Sequence, residues 1–282
     1  MLKQRVLTAL MLLPLAVAAI FMLPLQQFAI VIAIVMALAG REWGAFVLPG
    51  VAPAKLVFGA AIAAILAALM FFVPLESLWL DGQLNSVYQG ITIAGALWWL
   101  VALGLVLTFP RSSTLWQPNA MLKSLFGQLT ILPCFTAMVA LKGWVGDFDG
   151  AWLVLAVLLL VWGADTGAYF VGKAIGKNKL IPRVSPGKTR EGLAGGMLVC
   201  ALLSLVAWQM VPNINAVEAI VLGMVTGLAS ALGDLSESMF KRAAKIKDSG
   251  RLLPGHGGVL DRIDSVTAAM PVFVTLLLLF GA

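Results

Sequence analysis

Charge is scarce in this sequence. Asp, Glu, Lys and Arg make up 11% of its 282 residues, hydrophobic residues make up 61%, and the mean hydropathy is +1.00. Soluble domains carry about 25% charged residues, so this deficit excludes an ordinary soluble domain. Several uncharged stretches reach the roughly 20 residues that a helix needs to cross a bilayer. We therefore predict an all-α, polytopic integral membrane protein with a single membrane domain over residues 1–282.

Cysteine and histidine are nearly absent. Cys134 and Cys200 lie far apart in apolar runs, which excludes a disulfide framework and a thiolate metal site and predicts packing roles. His256 is the only histidine, so a zinc site with several imidazole ligands is excluded. The net charge of +6 does not indicate nucleic acid, because the basic residues flank apolar runs. Anionic lipid and an anionic substrate are the better explanation.

The apolar runs predict nine membrane spans. Residues 6–40 hold no charge, which is too long for one crossing, and we predict a turn at 23–27 that divides this run. We divide the single membrane domain into two halves. The first contains the N-terminal spans, about 1–142, and the second, about 150–282, contains the predicted active site. The predicted spans lie near 5–22, 28–47, 55–73, 89–109, 121–141, 151–172, 191–211, 215–240 and 260–281.

The distribution of basic residues predicts an orientation. If the loops alternate between two sides, every Lys and Arg except Lys142 falls on one side, and basic residues next to spans are retained in the cytoplasm. We expect a bacterial-type cytoplasmic (inner) membrane, with the N-terminus in the cytoplasm and the C-terminus outside. Residues 1–20 could alternatively be a signal peptide, since Lys3 and Arg5 precede an apolar run, but that run continues past the expected cleavage site.

Charge at a membrane helix is costly, so a dense charged segment marks a candidate site. The first such segment covers residues 163–192. Its Gly187-Lys188-Thr189 sequence is not a P-loop, because Pro182 stands where the pattern needs glycine. We predict instead a helix start whose backbone N–H groups suit a phosphate; anionic lipid is the alternative explanation for Lys173, Lys177 and Lys179. The candidate substrate contacts here are Asp165, Tyr169, Ser185, Lys188, Thr189, Arg190 and Glu191.

A second charged segment begins at Gly233. Asp234, Glu237, Ser238 and Lys241 recur at helical spacing and are predicted to share one stripe of a helix. A helix that leaves the membrane would explain Lys241 by snorkelling. It would not explain Asp234, which lies deeper and needs a partner or a cation.

A glycine-rich stretch and more acids follow at 254–265. Asp261, Asp264 and Ser265 again recur at helical spacing where the ninth span begins. Carboxylates without thiolates or clustered histidines suit a hard cation such as Mg²⁺, bound together with substrate phosphates. Whether His256 orders the loop or contacts a phosphate is left open.

The sequence from Ser238 to Asp264, SMFKRAAKIKDSGRLLPGHGGVLDRID, resembles the signature of phosphatidate cytidylyltransferases, also called CDP-diacylglycerol synthases. That signature has S-x-x-K-R, four residues, K-D, and a stretch that ends H-G-G-x-x-D-R-x-D. The resemblance extends to 165–169 and 185–192, whereas the N-terminal spans are only generically similar. It implies Mg²⁺-dependent transfer of a cytidylyl group from CTP to phosphatidate.

The resemblance also implies roles for individual residues. Asp234 and Asp261 would be the metal ligands, and a second cation such as K⁺ and a homodimer are left open. Candidate catalytic residues are Asp234, Asp261, Lys241 and His256. Candidate phosphate or substrate contacts are Lys188, Ser238, Lys241, Arg242, Lys247, Asp248, Arg251, Arg262 and Asp264.

Two other functions share features of this sequence. A CTP-dependent kinase of a polyisoprenoid or phytol alcohol would share the multi-span layout, but it would transfer the γ-phosphate of CTP. A transporter of an anionic solute would place charge near the middle of the membrane and often repeats its halves. The charged segments lie at one side and do not repeat each other.

Overall fold

The computed structural model describes residues 2–144, 149–210, 214–253, 255 and 257–281. These residues form ten α-helices. They are α1 (Leu2–Met22), α2 (Leu25–Val47), α3 (Ala52–Phe72), α4 (Ser86–Leu107), α5 (Ser113–Trp116), α6 (Ala120–Lys142), α7 (Gly150–Ile175), α8 (Arg190–Ala207), α9 (Ala216–Ala243) and α10 (Leu260–Leu279).

Membrane-spanning helices dominate the described chain. Eight of its helices, α2 to α4 and α6 to α10, are long and apolar enough to cross a bilayer, and α1 contributes a shorter apolar segment, Leu10–Met22. The prediction of a polytopic helical membrane protein is confirmed, and the count of nine spans is approximate. Each of these helices lies within a few residues of its predicted span, because hydropathy and helix length together define a crossing.

The predicted turn at 23–27 separates α1 from α2. Pro24 precedes the first residue of α2, and its carbonyl accepts the backbone N–H of Phe28 at 2.9 Å. Proline has no N–H to donate to the preceding turn, so it ends α1 and suits the start of α2. A single apolar run thus becomes two crossings.

Two short antiparallel hairpins lie outside the predicted helical pattern. Strands β1 (Trp79–Leu80) and β2 (Gln83–Leu84) form one of them, and β3 (Lys179–Ile181) and β4 (Ser185–Thr189) form the other. The second hairpin connects α7 to α8 and carries several candidate site residues.

The connections between helices gather at two ends of the bundle. At one end, Gln117 Nε2 donates to Ala243 O at 3.0 Å, and Arg242 Nε donates to Val184 O at 3.3 Å. These bonds join the loops at 108–119 and 176–189 to the last turn of α9, and we call this the charged end. At the opposite end, Trp79 donates its ring N–H to the carbonyl oxygen of Ala140, near the end of α6, at 3.0 Å.

An aromatic cage fixes the last turns of α9 at the charged end. The buried ring of Phe240 lies 4.9 Å from Trp43, 4.7 Å from Trp116, 5.9 Å from Phe46 and 6.2 Å from Phe126, measured between ring centroids. Such pairs add to the stabilisation from burial. The cage holds α9 against α2, α5 and α6, and thereby sets the position of the polar residues around Phe240.

Small residues let α7 and α8 approach closely. A Cβ atom on Gly196 would lie 2.6 Å from Ala164 O, and one on Gly167 would lie 2.8 Å from Gly195 O. Close packing over small residues is typical of helix pairs in membranes. The two helices can therefore pack closely, and this packing places the polar face of α7 next to the start of α8.

Candidate functional site

An ion pair between β4 and α9 forms the first part of the site. Lys188 Nζ lies 2.8 Å from Asp234 Oδ2, and Ser238 Oγ donates to Asp234 Oδ1 at 3.2 Å. Lys188 also approaches Ala231 O at 3.5 Å. The side chains of Lys188 and Asp234 are 26% and 33% exposed. Both groups can therefore reach a ligand as well as each other.

This ion pair lines a cavity of about 480 Å³ between α7, α8, α9 and the second hairpin. Asp165, Tyr169 and Lys173 line the cavity from α7, and Lys173 Nζ lies 5.7 Å from the Tyr169 ring centroid. These three residues therefore share one face of α7. The cavity, which we call the reaction cavity, presents two lysines, two carboxylates and a phenol to one space.

A second cluster lies where α9 ends and α10 begins. Lys241 Nζ donates to Asp261 Oδ1 at 2.8 Å and also forms an ion pair with Glu237, one turn earlier on α9. The predicted stripe is confirmed by these contacts and by the bond from Ser238 to Asp234. Glu237 is 3% exposed, and its Oε1 has no hydrogen-bond partner among the described residues.

Backbone donors orient Asp261. Oδ2 accepts the N–H of Gly258 at 2.7 Å and that of Ser249 at 3.0 Å, in addition to the bond from Lys241 to Oδ1. Only 5% of the Asp261 side chain is exposed. The loop before α10 therefore folds around this carboxylate, as expected for a buried charge, which needs both a partner and hydrogen bonds.

The acids around the two clusters outnumber the lysines that pair with them. Asp264, whose Oδ1 accepts the N–H of Ser265 at 2.7 Å, interacts electrostatically with Asp234, Glu237 and Lys241. An excess of carboxylates at the end of membrane helices favours a bound cation. The carboxylates are Asp165, Asp234, Glu237, Asp261 and Asp264, and the paired lysines are Lys188 and Lys241.

These residues could supply only part of the ligand set of a magnesium ion. The described residues contain no group of three or more His, Cys, Asp or Glu side chains placed to hold a metal by themselves. Mg²⁺, however, is usually bound by one or two carboxylates together with substrate phosphates and water. The unpartnered Oε1 of Glu237 and the excess of carboxylate oxygens match this donor chemistry.

The segment predicted as a helix start is a strand instead. Residues 185–189 form β4, and α8 begins only at Arg190. Ser185 precedes Pro186, and a residue before proline is pushed towards extended backbone, which explains the strand. Thr189 is the N-cap, since its hydroxyl accepts the N–H of Gly192 at 3.1 Å.

Glu191 fastens the hairpin to α8. Its carboxylate accepts the backbone N–H of Asn178 at 3.1 Å and the Asn178 side-chain amide at 2.6 Å. Arg190 donates its backbone N–H to Asn178 O at 2.8 Å, and its side chain is exposed. These contacts order the wall of the reaction cavity that carries Lys188.

Several predicted phosphate contacts lie outside the reaction cavity. Arg242 donates to Val184 O, and Arg262 is exposed on the first turn of α10. His256 lies outside the described residues. Lys247, Asp248 and Arg251 line a separate cleft.

Glu42 on α2 is a site residue that the sequence reasoning missed. It is 3% exposed, and its Oε2 accepts the backbone N–H of Leu260 at 2.8 Å and the hydroxyl of Ser249 at 3.2 Å. Glu42 thus holds the loop and helix start that orient Asp261. The available signal was an acid, next to Arg41, inside an N-terminal membrane span, but nothing in the sequence indicated its partners.

Replacing Glu42 with alanine is expected to destabilise the protein by about 1–3 kcal/mol, because buried donors on Leu260 and Ser249 lose their acceptor. Thermal unfolding in detergent, followed by circular dichroism, measures this effect. Glu76→Ala is the matched control, since Glu76 is exposed at the opposite end. An equal melting temperature for Glu42→Ala and Glu76→Ala would contradict the assigned role.

The fold and the site together define a class of protein. Helices that span a membrane, with lysines and carboxylates around a cavity at one end, are features of a membrane enzyme that acts on phosphorylated substrates. The model of the family described as "Cytidylyltransferase family" matches residues 3–280. The chain belongs to this family and is a nucleotidyltransferase.

Similar proteins cover nearly the whole chain. A phosphatidate cytidylyltransferase of Pseudomonas aeruginosa is 41% identical over 279 residues, which is 98% of this chain and 97% of the relative. One from Haemophilus influenzae is 39% identical over 283 residues, which is 97% of each chain. One from Bacillus subtilis is 40% identical over 150 residues, which is 52% of this chain and 55% of the relative.

Proposed function

We propose that this protein catalyses the reaction of CTP with phosphatidate to give CDP-diacylglycerol and diphosphate. The observation that carries the proposal is the placement of Lys188, Asp234, Lys241 and Asp261 at one end of a membrane bundle. The names of the full-length relatives support the same reaction. A lipid substrate would reach this end from the bilayer, and a nucleotide would reach it from water.

The chemistry needs positioning and charge neutralisation. A phosphate oxygen of phosphatidate attacks the α-phosphorus of CTP, the bond from that phosphorus to the oxygen bridging to the β-phosphate breaks, and diphosphate leaves with the bond's electrons. No covalent enzyme intermediate is required. Lys188 and Lys241 would offset the charge on the two substrates and on the leaving group.

Asp234 and Asp261 would hold Mg²⁺ in the substrate complex, as the sequence reasoning proposed. The ion would polarise the α-phosphate and neutralise the diphosphate. Asp234 is reachable from the reaction cavity, whereas Lys241 and two backbone N–H groups hold Asp261 in place. Lys188 and Lys241 form ion pairs with these carboxylates, so both lysines would also lie beside substrate phosphates held by the cation.

The charged end is proposed to face the cytoplasm of a bacterial inner membrane, where CTP is found. All Lys and Arg residues except Lys142 belong to the sequence segments on that side.

Lys142→Ala is expected to leave turnover unchanged, because Lys142 ends α6 at the opposite end. Lys188→Ala serves as the matched comparison and should lose most of its turnover, because it removes the cation paired with Asp234. Initial rates of lipid product formation in detergent micelles measure both. Strong loss in Lys142→Ala would contradict the proposed orientation of the site.

The proposed reaction predicts that diphosphate is the released product. Purified protein, supplied with CTP and Mg²⁺, should release diphosphate when phosphatidate is present and none when diacylglycerol replaces it. Enzyme-coupled detection of diphosphate measures this. Release of CDP without diphosphate would overturn the proposal and indicate a CTP-dependent kinase.

A further inference from the structure

A second polar cleft lies at the charged end, beside the loop between α2 and α3. Its volume is about 830 Å³, and no residue that lines it also lines the reaction cavity. We call it the basic cleft. Four of its residues are cations: Arg41, Lys55, Lys247 and Arg251.

These four cations have no carboxylate within 4.0 Å in the part of the chain that the structure describes. Two acids also line the cleft, Glu42 and Asp248. The Oε2 atom of Glu42 is bound by Ser249 and Leu260, and its Oε1 atom is buried. Four cations against two acids leave the formal charge of the cleft at +2, which suits an anion.

An apolar groove of about 690 Å³ continues from this cleft between α2 and α3. Arg41 lines both spaces. The helices approach closely at this point, since a Cβ atom on Gly59 would lie 2.9 Å from the Cβ atom of Arg41. Alanines line the groove beyond it, among them Ala33, Ala37 and Ala63.

The groove lies at the edge of the helix bundle, where we expect it to face the bilayer. α3 is a membrane-spanning helix of which only 22% of the apolar window is buried inside the protein, so it lies at the edge of the bundle. A dissolved anion would use the cations alone and would gain nothing from an apolar groove. A phospholipid uses both, because its phosphate and its acyl chains are joined in one molecule.

We propose that the basic cleft and the groove together bind one anionic phospholipid of the surrounding bilayer. Its head-group phosphate lies among Arg41, Lys55, Lys247 and Arg251, and one acyl chain lies between α2 and α3. This site is separate from the reaction cavity, and it assigns Lys247 and Arg251 to a structural or regulatory lipid instead of the nucleotide.

Native mass spectrometry of the purified full chain, titrated with phosphatidylglycerol, tests the proposal. Phosphatidylglycerol is the probe because it is anionic and is not a substrate of the proposed reaction. The double variant Arg41→Gln/Lys55→Gln should weaken its binding by roughly 30-fold, since each basic residue near an anionic lipid contributes about a kilocalorie. The matched control is Arg111→Gln/Lys177→Gln, which removes two exposed cations outside both cavities.

A second variant tests the acyl chain. Ala63→Phe fills the groove at an exposed position and leaves every cation in place, so it should also weaken phosphatidylglycerol binding. Equal binding in the wild type and the Arg41/Lys55 double variant would overturn the proposal. Loss in that double variant with full binding in Ala63→Phe would overturn it as well, because the cleft would then bind an anion such as inorganic phosphate without using the groove.

Discussion

Asp234→Asn is expected to lower CTP-dependent lipid product formation by about 10²–10³-fold, a loss typical of removing one preorganised electrostatic group. The substitution keeps the size of the side chain and removes the charge that pairs with Lys188 at 2.8 Å. It also places an amide where a carboxylate would hold Mg²⁺. Because Asp234 lines the reaction cavity, a ligand bound there can reach this charge.

Initial rates over a range of Mg²⁺ concentrations measure the effect of Asp234→Asn. Glu76→Gln is the matched control, because it removes an exposed carboxylate at the opposite end. Circular dichroism and monodispersity in detergent should be unchanged in both variants. Near-normal turnover by a folded Asp234→Asn protein at ordinary Mg²⁺ would refute the assigned metal role.

Asp261→Asn is expected to be at least as damaging, with a loss of about 10²-fold or more. Both oxygens of Asp261 accept hydrogen bonds, from Lys241, Ser249 and Gly258. An asparagine amide would turn one acceptor into a donor and face one of these N–H groups. Lys241 would also lose one of its two carboxylate partners.

Two measurements separate chemistry from folding in Asp261→Asn. Product formation should be lost, whereas the fraction of monodisperse protein and the helix content should stay close to wild type at low temperature. Glu76→Gln is the control here as well, since Glu76 is an exposed carboxylate at the opposite end. Equal rates for Asp261→Asn and the wild type would contradict the assigned role.

The membrane helices could be predicted from the sequence because each crossing needs a long apolar run, and the chain has few charges to obscure the pattern. Pro24 made even the division between α1 and α2 predictable. The hairpin of β3 and β4 could not be predicted in this way. Its strands are short, and the effect of Pro186 on Ser185 is local, whereas the glycines and Thr189 nearby suggested a helix start.

The site was predictable where it lies within one helix. Helical spacing alone brought together Asp234, Ser238, Glu237 and Lys241, and the contacts of Ser238 and Lys241 follow that spacing. The pairing of Lys241 with a residue of α10 depends on how α9 packs against α10, and helical spacing holds no information about this.

The parts of the site that could not be predicted depend on contacts between segments that lie far apart in the sequence. Glu42 meets Ser249 and Leu260 across more than 200 residues, and Lys247 and Arg251 line a cleft with Arg41 on α2. A charge-rich motif indicates that its residues bind anions, but the motif alone does not say which cavity each side chain lines.

The central claim is that the protein transfers a cytidylyl group to phosphatidate, and the position of a radiolabel tests it most directly. The purified protein is incubated with phosphatidate, Mg²⁺ and CTP labelled at either the α- or the γ-phosphate, and the lipid is extracted and separated. We predict label in the lipid from α-labelled CTP and none from γ-labelled CTP. Label in the lipid from γ-labelled CTP alone would contradict the account.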